Sequence, residues 1–589
     1  MLKKVLTIFF SLLVIASLVI LPACGESTST TTTTKTTTPS STSTLTTTST
    51  TTSTTTSTTT KTTTTKPAEK QVLRVNIAGE PAQIDPTRAS WSTERTVIMQ
   101  VFEGLLGFNQ DLSLKATGAA EIPTVDNGGI SVDGKTYTFK LNPAVTWSDG
   151  KKVTAHDYEY SIKRLFSPDL AAEYTSFYFD IKGGQEYYSA VDADAATKEQ
   201  LREAIAVDAK SDTILVILLN APRPTFLQLM ALWPVYPVRE DIITQFGDKW
   251  TEPPNYIGNG AYLMTEWVHS DHITLVKNPK YWGTPAKIDT ITLKMITDIN
   301  AEFAAYQNNE LDICSVAAGT EATTMADPVL SKQILRYAEL VTFGYQFNLT
   351  TPPFDNKYLR KAINAAVDRV SFINNVRGGV GAPAYSWIPP GMPGYDANLG
   401  ADYHFDVAKA KAFLVQAGYK ADGSDVPELR LQYADTGVNP TIAQFVQNQM
   451  LVNLGINVSL EPMERAAFSR LVNAEQHTWA WFGWGADYPD PDNWLPELFG
   501  TGAGNNHTNY SSAAFDALMA QAKNELDNAK RLALYAQAQA MVVDDAPVLF
   551  IQYRERFRLV KPYVKGLLYT GMDGDVPGDM FFANISIVK

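Results

Sequence analysis

At 589 residues the chain exceeds what one hydrophobic core can organise, so at least two packed lobes are expected. Its 62 acidic residues outnumber 49 basic ones, for a net charge of −13, which argues against nucleic acid or an anionic lipid surface as the main partner. Aromatic residues make up 11% of the chain, with 11 Trp and 26 Tyr, enough to place some rings on binding surface as well as in cores.

Met1 to Ile20 has the layout of an export signal, with Lys3 and Lys4 ahead of an apolar run too short for a spanning helix. Leu21-Pro22-Ala23-Cys24-Gly25 follows and resembles the cleavage box of bacterial lipoproteins. That resemblance implies a signal peptide over 1–23 and a lipidated Cys24 that anchors the mature protein to the cell membrane. From Ser27 to Lys66 the chain is almost pure Thr and Ser, without the apolar periodicity a core needs, so 24–70 is expected to be a disordered tether. The other cysteine, Cys314, has no obvious partner and is expected to be a buried small residue.

Globular composition begins at Gln71. Alternation predicts strands at Val72–Ile77, Lys135–Leu141, Ile214–Leu219 and Ala261–Met264, with a hairpin crossing through Trp267 to Ile273. Helical spacing predicts helices over Val97–Leu106 and Asp157–Phe166, the second opened by Thr154-Ala155-His156-Asp157. From Phe343 longer helices, at Tyr358–Asp368, Val407–Ala417, Pro440–Leu454 and Ala466–Asn473, alternate with strands at Glu428–Tyr433 and Asn457–Leu460. Such alternation predicts parallel βαβ units and an α/β fold class. A helix pair over Ala513–Asp544 and a last strand, Val548–Tyr553, complete the chain.

The densest chemistry lies at Trp479 to Trp494. Large and small side chains alternate through Trp481, Gly483, Trp484 and Gly485, as in a strand with something lying against its backbone. Pro489 and Pro491 end that strand, and Asp487 is displayed where it turns out of the sheet. We read the strand end as the floor of a ligand site and Asp487 as the group that takes a positive charge. Asp487, Asp490 and Asp492 crowd one loop, but the prolines splay them and no glycine stands where a calcium loop turns, so no metal site is expected. His269, Asp271 and His272 have mixed strand parity and are expected to be solvated hairpin residues rather than zinc ligands. No nucleophile elbow, phosphate-binding loop or metalloprotease helix is present, so neither catalysis nor a cofactor is expected.

Several landmarks in order, and at matching spacing, carry a resemblance through nearly the whole mature chain. They are Phe102-Glu103-Gly104-Leu105-Leu106, Trp147-Ser148-Asp149-Gly150, Asn259-Gly260-Ala261-Tyr262, Asn278-Pro279-Lys280-Tyr281-Trp282, Pro352-Pro353-Phe354, Ala366-Val367-Asp368-Arg369 and Trp484-Gly485-Ala486-Asp487-Tyr488. Together they resemble the extracytoplasmic solute-binding proteins of peptide and oligopeptide ABC importers. The resemblance implies a three-lobed, periplasmic-binding-protein-like (Venus flytrap) fold with mixed sheets. One lobe is built from 71–102, 234–336 and 554–589, a second from 103–233 and a third from 337–553, with the ligand cleft between the first and third. It further implies an extended peptide pairing with Ser90-Trp91-Ser92 on one side and Gly483-Trp484-Gly485 on the other, its α-ammonium held by Asp487.

The implied partners are a peptide and the permease subunits of an ABC transporter, for a monomer outside the cytoplasm, in a periplasm or on the outer face of the membrane. Two positions depart from the pattern: Trp481 stands where relatives place an arginine, and Asn439 where they offer a histidine, both receivers of the ligand's C-terminal charge. An oligosaccharide stacking on Trp481 and Trp484 is therefore an alternative occupant. The alternative from another class is a secreted glycan-binding or glycan-hydrolysing protein. Its required carboxylate pair would be Asp487 and Asp490, which share one short loop instead of facing across a sugar.

Overall fold

The computed structural model describes residues 70–589. The export signal, Cys24 and the tether up to residue 69 lie outside the described residues. Among those described, no helix is long and apolar enough to cross a membrane.

One mixed sheet of 11 strands organises the structure. Its spatial order is Val458–Met463, Leu429–Ala434, Trp479–Gly485, Ile334–Phe347, Val548–Val560, Ile313–Ser315, Val72–Asn76, Thr290–Lys294, His272–Lys277 and Tyr262–Val268, with the short Ala382–Pro383 attached to Val548–Val560. At one end Val72–Asn76 is central and buries Leu73 and Val75 completely. It runs parallel to both Thr290–Lys294 and Ile313–Ser315. Arg74 holds that second contact, its guanidinium and backbone N–H both donating to the buried Asp312 at 2.6 and 2.7 Å.

At the other end the expected βαβ units are present. Leu429–Ala434 runs parallel to Val458–Met463 across helix Asn439–Leu454, which stops at Gly455 in a left-handed conformation (φ 72°). Trp479–Gly485 follows helix Arg465–Asn473 and also runs parallel to Leu429–Ala434.

Two long antiparallel strands, Ile334–Phe347 and Val548–Val560, pass through both ends of the sheet. Both outrun the sequence expectation, in which the last strand stops at Tyr553 and no strand begins at Ile334. The reason is charge. Arg554, Arg556 and Arg558 interrupt the apolar pattern, yet Glu339 is buried between Arg554 (2.6 Å) and Arg556, and Arg558 donates to the carbonyls of Phe557 and Asp575, so the strand continues with its charges satisfied. Glu339 sits in the register break between Ala338/Glu555 and Thr342/Tyr553, where extra residues increase the local twist.

The first helix also differs from its expected bounds, running Ser92–Val101 rather than Val97–Leu106. The Glu94 carboxylate accepts from the N–H groups of Ser90 and Trp91 and fixes the start. Its end is set by the next strand, Leu106–Phe108, which pairs with Leu114–Ala116. Segment 103–233 carries a separate sheet of Thr136–Lys140, Ile214–Leu218 and Val207–Ser211. The hairpin histidines pair with carboxylates, His269 Nδ1 with Glu80 (2.8 Å) and His272 Nδ1 with Asp271 (2.6 Å). Cys314 is buried.

His477, just before the site strand, is 1% exposed and neither ring nitrogen has a hydrogen-bond partner. Burial therefore lowers its pKa to about 4, helped by His507 nearby. The unfolded chain takes up this proton below about 6.5 and the folded chain does not until about 4, so stability is lost as pH falls through that window. Denaturant titrations at pH 7 and pH 4.5 should show a loss in wild type of up to about 3 kcal/mol from this residue, which His477→Leu removes.

Candidate functional site

The site strand Trp479–Gly485 has one complete neighbour and one partial one. Ile334–Phe347 pairs along all of it, from Phe347↔Trp479 to Val341↔Gly485. Leu429–Ala434 pairs only at Leu431↔Trp479 and Gln432↔Ala480 and then turns away toward its helix. The rest of the edge has no strand beside it among the described residues.

Antiparallel backbone groups alternate between the two sides, and two bonds set the phase here: Asn348 N–H donates to Thr478 O and Ala486 N–H to Leu340 O, both at 2.9 Å. Even-numbered residues thus face Ile334–Phe347, and the backbone groups of Trp481, Gly483 and Gly485 face the open edge. Such an edge is a template for an added strand. Trp484, the middle residue of the expected pairing triplet, turns its backbone inward and ties its indole N–H to Asn493 O at 2.9 Å.

Gly483 has a different reason from the expected one. A Cβ there would lie 2.2 Å from Phe343 Cδ1, so its small size admits the neighbouring strand's ring. That ring stacks on Trp481 with centroids 5.1 Å apart and planes at 24°. Trp481 also meets Tyr345 edge-on at 5.3 Å and keeps part of its surface exposed.

Beyond the strand, three carboxylates are sorted by their partners. Asp490 forms a two-bond ion pair with Arg531, at 2.6 and 2.7 Å. Asp492 faces Arg223 (3.4 Å) and accepts from Tyr488, Tyr535 and Thr225 hydroxyls at 2.9, 3.0 and 3.1 Å. Despite burial, these contacts hold its carboxyl below the ordinary aspartate value.

Asp487 has neutral donors only: Tyr174 hydroxyl at 2.9 Å and Asn493 Nδ2 at 2.9 Å. No ion pair reaches it among the described residues, and burial pushes its pKa up against those two bonds and the more distant Arg95 charge. A carboxylate held in place, desolvated and left without a cation has the chemistry to accept one. Asp490 and Asp492 are spent within the fold, which leaves no second carboxylate in this loop for glycoside chemistry. Among the described residues no group of three or more His, Cys, Asp or Glu could hold a metal ion.

Ser90, Trp91 and Ser92 stand at the N-terminus of the first helix. Two of their N–H groups are taken by Glu94, and Ser92 Oγ donates to Asp575 at 2.6 Å. Trp91 projects its side chain outward, 60% exposed. Contacts link this stretch to Asp487: Trp233 Nε1 donates to Ala89 O (2.8 Å), and the Trp233 ring lies 5.1 Å from Tyr174, which donates to Asp487. Asn439 turns its amide back to cap the preceding strand, Nδ2 to Ala434 O at 3.1 Å.

Two site residues escape a reading of the sequence. Tyr174 lies more than 300 residues from Asp487 in an unremarkable Glu-Tyr-Thr-Ser run. Arg377, in Val-Arg-Gly-Gly, has a buried Nε without a partner, and burial lowers its pKa against the opposing charge of Glu321. The like-charged Arg554 acts on it, and Arg554 lies 5.9 Å over the Phe343 ring that stacks on Trp481. In register Arg554 lies between Tyr553 and Glu555, level with Gly485 rather than Trp481, and its guanidinium is paired with Glu339 at 2.6 Å. No sequence signal marks either residue, because each acquires its role from a distant segment.

Residues 123–506 match the model of the bacterial extracellular solute-binding proteins, family 5. The chain is 33% identical over 525 residues to the oligopeptide-binding protein OppA of Bacillus subtilis, covering 87% of this chain and 92% of that one. It superposes on the unliganded open form of the periplasmic murein tripeptide-binding protein MppA with a TM-score of 0.75 at 28% identity, covering 89% and 98% of the two chains. Against Haemophilus influenzae OppA in complex with the peptide RPPGFSPFR the TM-score is 0.67 at 27% identity, covering 88% and 99%. The mixed α/β architecture and the length of the match agree: this chain belongs to the family 5 extracellular solute-binding proteins, a family of binding proteins rather than enzymes.

Proposed function

We propose that the protein captures peptides in extended form and hands them to the permease of an ABC importer. The observation that carries this reading is the unpaired Asp487 at the end of an open strand edge. A peptide lying antiparallel to Trp481–Gly485 places its first residue at Asp487. Its backbone then meets the free groups of Gly485, Gly483 and Trp481, a mode of recognition indifferent to sequence. Relatives named for oligopeptides and a murein tripeptide support a peptide as occupant.

Three lobes with the bounds given above, closing around the ligand as contacts to both sides shift the population, account for capture and release. A lipid on Cys24 and the Thr/Ser tether would hold this monomeric receptor near its permease. The part-exposed Trp481, stacked on Phe343, supports a second reading in which an oligosaccharide lies on that platform.

A tri- to pentapeptide library incubated with the protein, with retained members identified by mass spectrometry, separates these readings; retention of oligosaccharides and no peptides would favour the second. Asp487→Ala should weaken retention of free-amine peptides by roughly ten- to a hundredfold, the effect of one charge-assisted contact, and leave N-acetylated peptides unchanged. Equal loss for both removes the anchor role. Because burial raises the Asp487 pKa, free-amine binding should weaken on acidification sooner than an ordinary aspartate allows. C-terminal amidation should change binding to wild type by no more than about threefold, since neither Trp481 nor Asn439 offers a charge for the ligand's carboxylate; a much larger loss places a cation at that end.

A further inference from the structure

Segment 103–233 reaches the loop that carries the anchor at more than the Tyr174 contact. Arg223, in the turn after strand Ile214–Leu218, is bonded to Asp180 and Phe177 O of its own segment. Its other terminal nitrogen faces Asp492 at 3.4 Å, and Thr225, two residues on, donates to the same Asp492 oxygen at 3.1 Å. The Arg223 side chain is only 12% exposed, so its charge is worth more here than on a surface.

One peptide bond separates Asp492 from Asn493, and Asn493 holds the anchor twice. Its Oδ1 accepts from Asp487 N–H at 2.8 Å and its Nδ2 donates to Asp487 Oδ2 at 2.9 Å. The direction in which Asp487 points therefore depends on Asn493, and the place of Asn493 depends on how Asp492 is held. Asp490, on the same loop, is tied to Arg531 from helix Asn528–Asp545, within the 337–553 segment. Asp492 alone of the three carboxylates is held by a cation from segment 103–233. A cavity of about 120 Å³ lined by Arg223, Thr225, Asp492, Glu497, Lys523 and Arg531 borders the pair, so the bridge is not sealed by packing and rests on these polar contacts.

We propose that Arg223 is a positioning residue for ligand recognition: through Asp492 and Asn493 it orients the Asp487 carboxylate, giving segment 103–233 a part in amine selection without contact to the ligand. This rests on reading Asp487 as the anchor. The chemistry recognised is a primary ammonium, and the quantity that reports orientation is the preference for free over N-acetylated peptides.

The test measures that preference by mass spectrometry on one tri- to pentapeptide library, prepared with free and with acetylated amino termini. Arg223→Met and Asn493→Ala should each lower it about tenfold (about 1.4 kcal/mol), and the double variant should lower it no further, since both break one path. Arg223→Lys, which keeps a cation beside Asp492, should recover most of it and serves if the Met variant fails to fold. A preference unchanged in Arg223→Met or in Arg223→Met/Asp492→Asn, whatever the melting temperature does, would overturn the proposal, as would multiplying losses in the Arg223→Met/Asn493→Ala double variant. If Asp487→Ala collapses the preference while the Arg223 variants keep it, only the positioning role fails. If Asp487→Ala keeps it too, the anchor reading itself fails.

Discussion

The structure depends on two strands that cannot leave the sheet. Ile334–Phe347 and Val548–Val560 are paired to each other and to further strands at both ends, so every element of the large sheet is referred to them. Continuity across so long a pair is broken at two places, after Ala338 and after Phe343, and Glu339 with its arginines fills the first. A buried carboxylate with two guanidiniums costs desolvation, and the geometry compensates by satisfying charge with charge. The consequence for function is positional. The strand that carries the site hangs from Ile334–Phe347 along its whole length, and its free edge is defined by where Leu429–Ala434 lets go.

What makes the site is a sorting of charge rather than its amount. Within one short loop Asp490 and Asp492 meet arginines and become structural, while Asp487 meets a phenol and an amide and stays available. The same sorting applies to cations. Arg531, Arg223 and Arg556 each meet a carboxylate, although Arg531 and Arg556 still leave Nε without a partner, whereas Arg377 has no ion pair among the described residues. An unpaired carboxylate at the end of an open strand edge leaves a negative centre that no neighbouring ion pair cancels among the described residues. The net charge of −13 gives no hint of it, because the site is a local exception to a surface that is mostly neutralised.

Aromatic residues divide in a similar way. Trp479 is wholly buried, packed on Phe347, and Phe482 lies flat on Trp387 at 5.0 Å, so these rings hold the strand from both faces. Trp481 and Trp91 keep exposed surface near the free edge and the first helix, where apolar contact can follow a ligand's side chains. The glycines of the site strand serve the sheet as much as the ligand, since Gly483 exists to seat Phe343.

The chain by itself determined the βαβ order of the second half, the family landmarks and the position of Asp487, because these rest on local periodicity and on residue types at fixed spacing. It also determined the composition of the site strand, whose alternating rings and glycines are legible without a fold. It could not show that Val548–Val560 continues through three arginines, since Arg554 and Arg556 are met by Glu339, over two hundred residues earlier, and Arg558 by the carbonyls of Phe557 and Asp575. It singled out Asp487 by its place at the strand end, but could not show what meets Asp490 and Asp492, whose partners only the fold brings. Those partners are Arg531, from a later helix of the same 337–553 segment, and Arg223, from segment 103–233, which also sends Tyr174 to Asp487. Whether a carboxylate is a structural bridge or a binding site depends on whether a cation is already within reach, and only the tertiary structure decides that distance.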